Sequence, residues 1–133
     1  MPLWKKLLLV GLGGFVGAVL RYTLSEAVQS RTEDFPAGTL VVNAVGCLAI
    51  GVFLGLAEGG RGLSPELRHM ILVGLLGSFT TFSTFAAEGF ELLRAGRTAA
   101  ALAYLTGNLV LGLVLVLGGR ALGLRLGGGL ELT

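Results

Sequence analysis

A chain of 133 residues with 53% hydrophobic and only 14% charged residues lies far from a soluble domain, where about 25% of residues carry charge. Its mean hydropathy of +0.84 excludes an ordinary soluble fold, and its +2 net charge, with cations at the ends of apolar runs and no basic stripe, excludes a nucleic-acid binder. The single cysteine, Cys47, lies in an apolar run and leaves no disulfide staple or cysteine cluster within one chain.

The length suits one domain, 1–133, of four transmembrane helices at about 20 residues each. The first span is expected near 7–24. Met1 to Lys6 followed by Leu7 imitates a signal peptide, but no small-residue cleavage site precedes Arg21 and three further spans follow. Trp4 is an interfacial anchor. Gly13 and Gly17 are four residues apart and form a small face for a neighbouring backbone. A polar connection, Ser30 to Asp34, leads to the second span, near 36–57, which Pro36 can open because its missing N–H would lack a partner there. Asn43 is the one strongly polar side chain in this run, and Gly51 with Gly55 repeats the small face.

Ser64-Pro65-Glu66 reads as an N-cap, a first helical residue and an acid at the positive helix end. The third span, near 67–93, is interrupted by Gly74, Gly77, Ser78, Thr80, Thr81, Ser83 and Thr84. Glycine and β-branched threonine are poor helix formers, and Ser and Thr bond locally to backbone. A break is expected near 77–81. The fourth span, near 98–119, carries Tyr104, Thr106 and Asn108, and a loose tail is expected at Gly127 to Gly129.

Four spans put both termini on one side, with Lys5, Lys6, Arg61, Arg68, Arg120 and Arg125; Arg21, Arg31, Arg94 and Arg97 fall on the other. This small asymmetry admits two readings under the positive-inside rule. Either Lys5 and Lys6 hold the N-terminus inside, or the chain inserts both ways and pairs as an antiparallel dimer.

A broken helix frees carbonyls that lipid cannot satisfy, and discontinuous helices use such carbonyls to coordinate Na⁺. The alternative is an unbroken small-residue face for packing. Phe79, Phe82 and Phe85 recur every three residues, so Phe82 and Phe85 share a face. They either pack or turn their positive ring edges toward an anion. Ser83 and Thr84 lie beside them as hydroxyl donors. Asn43 is interhelical glue or an amide donor. Tyr104, Asn108 and Gly112 share one face of the fourth span. Arg21 either snorkels or packs, and Glu88, one turn beyond Phe85, is expected at a vestibule. His69 lacks a partner at metal-ligand spacing, and no Walker loop or hydrolytic constellation is present, so no enzyme is expected.

Gly13-Gly14-Phe15-Val16-Gly17-Ala18 with Arg21-Tyr22, then Gly38-Thr39-Leu40-Val41-Val42-Asn43, then Gly74 through Phe85 with its Thr-Thr-Phe-Ser-Thr-Phe string, resemble the Fluc (CrcB) fluoride channels over most of the chain. The resemblance implies an all-α integral membrane protein of the prokaryotic plasma membrane. It implies an antiparallel, dual-topology homodimer with two fluoride pores, giving passive export of cytoplasmic fluoride. It also implies a structural Na⁺ on backbone carbonyls of Gly77 and Thr80. Asn43, Phe82, Phe85, Ser83, Thr84, Tyr104 and Asn108 would line the pore. Arg21 would take a vestibule or structural role, and Glu88 would lie near a pore mouth. Asn108 and Gly112 depart from the serines frequent in the family. The competing readings are a small multidrug-type, proton-coupled cation exporter, which needs a membrane-embedded carboxylate, and a non-transporting assembly subunit.

Overall fold

The computed structural model describes residues 1–128, which are helical throughout apart from short connections. Helix α1 spans Leu3–Gln29 and α2 spans Ala37–Glu58. The third span, Pro65–Arg94, is composite. It opens with α3 (Pro65–Arg68), widens into a π-wound stretch His69–Leu76, and tightens again as α4 (Gly77–Phe79). It resumes as α5 (Phe82–Arg94), and α6 spans Thr98–Leu126. Among the described residues, four helices are long and apolar enough to cross a membrane.

The helices outrun the apolar runs at most ends. Helix α1 has 27 residues, about 40 Å at 1.5 Å per residue, against a hydrocarbon core of about 30 Å. Its polar end turns stay helical outside that core. Pro36 differs from expectation: it precedes α2 with a non-helical ψ of 62° rather than opening it. Ser64 does cap α3, its Oγ accepting from the Leu67 N–H at 3.3 Å, with Pro65 as the first helical residue.

The packing inverts that of a soluble bundle. At the helix seams glycines face inward, while long aliphatics face outward. Leu7, Leu8, Leu12, Phe15 and Val19 on α1, and Leu109, Val110, Leu113, Val114 and Leu117 on α6, are all exposed. Lipid is as apolar as leucine, so close backbone approach rather than burial of aliphatics joins such helices. A Cβ on Gly13 or Gly17 would run into the Met70 or Leu75 carbonyl of the π-wound stretch. A Cβ on Gly51 or Gly55 would meet the α6 carbonyls of Val116 or Arg120, and α6 answers with Gly119 and Gly123 against Leu48 and Val52. The two small faces read from α1 and α2 are therefore contact seams. The matching glycines of α6 complete the second one.

Ionic ties mark the helix ends. Lys5 pairs with Glu66 at 3.4 Å and Arg120 with Glu58 at 2.6 Å, while Arg61 donates to the Leu126 carbonyl at 3.1 Å. At the opposite end Arg97 donates to the Asp34 carbonyl. There Gln29 also donates to the Thr32 and Phe35 carbonyls at 2.9 and 3.1 Å, and its Oε1 accepts from the Gly38 N–H at 3.2 Å. A small aromatic core lies nearby, where Phe85, Leu92, Ala101 and Tyr104 pack with Phe35 and Leu105. Gly127 caps α6 and Gly128 turns with φ +82°; Gly129, the last residue of the expected loose tail, lies outside the described residues.

Candidate functional site

Between α4 and α5, Thr80 (φ −81°, ψ 156°) and Thr81 (φ −147°, ψ 118°) are extended. Gly77 and Ser78, expected within the break, are still helical, and the Ser78 side chain serves packing instead. Ser78 Oγ donates to the Gly14 carbonyl of α1 at 2.8 Å and to Leu75 at 3.1 Å. The interruption is narrower than the Gly/Ser/Thr run because only Thr80 and Thr81 leave the helical region.

Their backbone groups must find partners, since a buried orphan peptide group costs free energy comparable to a lost hydrogen bond. The Thr80 N–H and Oγ1 both donate to the Leu76 carbonyl, each at 3.1 Å. Thr81 Oγ1 caps α5, accepting from the Thr84 N–H at 3.3 Å and donating to Thr84 Oγ1 at 2.9 Å. An extended residue points its own N–H and C=O to one side, as in a hydrogen-bonded strand pair. Asn43 of α2 meets both: its Oδ1 accepts from the Thr81 N–H at 2.9 Å and its Nδ2 donates to the Thr81 carbonyl at 3.1 Å. The Thr81 N–H can only donate, which settles which end of the amide faces it. The second Nδ2 proton reaches Asn108 Oδ1 at a long 3.4 Å, and Asn108 Nδ2 donates to the Tyr104 carbonyl at 2.9 Å.

Two cavities flank this stretch. A groove of about 410 Å³ is lined by Asn43, Gly77, Thr80, Phe82, Phe85 and Asn108 among others. A more polar cavity of about 220 Å³ is lined by Arg21, Ser25, Glu26, Thr39 and Thr84 among others. Thr81 belongs to both, so its residue forms the wall between them. Gly46 lets the break approach α2, for a Cβ there would land on Thr80 Cγ2.

The two phenylalanines have unlike surroundings although their ring centroids lie 5.6 Å apart. Phe85 is 9% exposed and packs against Tyr104, centroids 5.5 Å apart; Phe82 is 78% exposed on the groove side. Glu88 is half-buried and bonded on both oxygens. Thr39 Oγ1 donates to Oε1 at 3.0 Å and Tyr104 OH to Oε2 at 2.5 Å. Thr84 lines the polar cavity, whereas Ser83 is exposed and lines neither. Tyr104, Asn108 and Gly112 do share the inner face of α6, with Gly112 against Cys47 Sγ.

Three contributors escaped the sequence reading. Thr39 is 3% exposed and holds Glu88, and its signal was its place four residues before Asn43, on the same face of α2. Ser25 and Glu26 join Arg21 in the polar cavity, one turn further along α1. The possible oxygen ligands for a cation are the carbonyls released at the break. Gly77 and Thr80 line the groove, and a Cβ at Gly77 would meet only the Leu72 carbonyl, at 3.8 Å, so its backbone is accessible. Neutral carbonyl oxygens suit a hard cation. Among the described residues no group of three or more His, Cys, Asp or Glu side chains converges.

A family model described as CrcB-like protein, Camphor Resistance (CrcB), matches residues 8–120. A relative from Methanosarcina acetivorans, the fluoride-specific ion channel FluC 1, is 49% identical over 78% of this chain and 76% of its own length. The fluoride-specific ion channel FluC of Nitratidesulfovibrio vulgaris is 43% identical over 84% of this chain and 91% of its own. That of Chloroflexus aurantiacus is 43% identical over 93% and 99%. With four helices of spanning length among the described residues and prokaryotic relatives such as these, the chain is a multi-pass protein of a prokaryotic plasma membrane.

Proposed function

The chain belongs to the CrcB-like family, and from that premise and the geometry of the third span we propose that it is a fluoride-selective channel. The observation that carries the reading is the Thr80–Thr81 stretch. Thr81 lines both a polar cavity that Arg21 also lines and a groove that holds an amide and two aromatic rings. The relatives' names support fluoride as the ion. They do not favour a proton-coupled cation exporter.

Fluoride is small and strongly hydrated, so a narrow path must replace its water with donors and still release it. Arg21 draws the anion toward the polar cavity electrostatically. The Thr84 hydroxyl, oriented by the bond its oxygen accepts from Thr81 Oγ1, is the next donor, and Ser83 adjoins it in sequence. Asn43 then offers the proton now held at 3.4 Å by Asn108, a bond long enough to yield to an anion. The ring edges of Phe82 and Phe85 carry positive potential without a full charge that would trap the ion. Asn108 continues the polar face beside Asn43, whereas Tyr104, expected along the pore, is buried away from both cavities and, with Thr39, keeps Glu88 in place. Export is passive: fluoride that enters as neutral HF ionises in the cytoplasm and leaves down its gradient.

The exposed groove with Phe82 at its edge is the face a second, antiparallel copy would cover, which agrees with nearly balanced cations at the two helix ends. The Gly77 and Thr80 carbonyls of each copy would hold a structural Na⁺ there. When bound, sodium supplies a fixed positive charge that balances freed carbonyl dipoles and joins the subunits. The test is efflux from proteoliposomes followed with a fluoride electrode. Fluoride should leave rapidly and chloride should not; equal chloride flux refutes the selectivity, and no fluoride flux refutes the channel.

A further inference from the structure

A trans peptide is a rigid plane whose C=O and N–H point in opposite directions. The Thr80 carbonyl and the Thr81 N–H belong to the same plane, and no cis bond occurs among the described residues. The preceding peptide is pinned where the Thr80 N–H meets Leu76. The plane carrying the Thr80 carbonyl is held by the hydrogen bond from the Thr81 N–H to Asn43 Oδ1 at 2.9 Å. Without it, a coupled change in Thr80 ψ and Thr81 φ would swing the carbonyl while leaving both helices in place.

We propose that Asn43 is a positioning residue for the cation: its Oδ1, by fixing the Thr81 N–H, aims the Thr80 carbonyl into the groove. The inference rests on the reading of Gly77 and Thr80 as cation ligands. It gives one side chain two separable tasks. The oxygen end serves the cation through the backbone, and the nitrogen end faces the anion path through the proton shared with Asn108. Anion and cation sites are then coupled across a single residue, 38 positions away in the chain.

The experiment is thermal denaturation of the purified full-length protein, with Na⁺ titrated against N-methylglucamine at constant ionic strength. Asn43→Ala should raise the Na⁺ concentration for half-maximal stabilisation at least tenfold. Asn43→Asp keeps the acceptor and removes the NH₂ donor. It should keep that midpoint within threefold, or lower it, while fluoride efflux is lost. In the wild type, Na⁺ should slow hydrogen exchange of the Thr81 amide at least tenfold, a readout that stands even if Asn43→Ala fails to fold. A Na⁺-responsive wild type with an unchanged midpoint in Asn43→Ala, a raised midpoint in Asn43→Asp, or Thr81 exchange indifferent to Na⁺ overturns this inference alone. A wild type that conducts fluoride but never responds to Na⁺ overturns the cation reading and this inference together.

Discussion

Replacing Tyr104 by phenylalanine isolates one oxygen atom in the aromatic core. The Tyr104 ring is fully buried, edge-on to Phe35 with centroids 5.6 Å apart and tilted against Phe85 at 5.5 Å. Phenylalanine keeps all of that packing. What goes is the 2.5 Å hydrogen bond to Glu88 Oε2, leaving Glu88 with Thr39 on its other oxygen. Hydrogen bonds to charged groups are worth about 1.5–3 kcal/mol, whereas interhelical hydrogen bonds in membranes average about 0.6 and reach about 1.7 kcal/mol. The short distance and the carboxylate acceptor favour the overlap of these ranges, about 1.5 kcal/mol, or roughly a tenfold change in the unfolding equilibrium. The clean measurement is a double-mutant cycle with Tyr104→Phe, Glu88→Gln and the pair, followed by reversible unfolding in mixed detergent micelles. A coupling energy of at least about 1 kcal/mol is expected. Additivity within about 0.5 kcal/mol would refute the idea that this hydroxyl holds Glu88, and unchanged fluoride efflux in Tyr104→Phe would remove Glu88 positioning from the conduction path.

Two further pairs of substitutions test the same geometry. Phe85→Ala opens a cavity in the core and should cost about 3–5 kcal/mol of stability. Phe82→Ala, at a ring 78% exposed, should leave the fold of the chain nearly unchanged yet, with the groove as the proposed dimer face, weaken self-association and cut fluoride flux; equal stability losses for the two would contradict their different burial. In the polar cavity, Arg21→Gln should slow fluoride entry and flatten its dependence on ionic strength. Glu26→Gln should speed entry, since removing an anion from the lining of the cavity raises the local potential; flux indifferent to both would show that ions do not pass these residues.

Membrane class, number of spans and the glycine seams were legible in the sequence because they depend on local composition and helical spacing. Gly13 with Gly17 and Gly51 with Gly55 are each separated by one turn, so their shared face follows from helix geometry alone. The presence of an interruption in the third span was also suggested locally, by threonines that suit a helix poorly. Its extent was not. Gly77 and Ser78 stay helical because Ser78 gains a partner on α1, 64 residues away.

Partnerships across the bundle belong to the tertiary structure. That Asn43 pairs with the Thr81 peptide, that Thr39 and Tyr104 converge on Glu88, and that Phe85 is buried while Phe82 is bare depend on how distant segments approach one another. Hydropathy and periodicity report how each helix divides its faces between lipid and protein. The particular atom across an interface is set by helix rotation and by how closely the glycines let two backbones come, and no single segment carries that information.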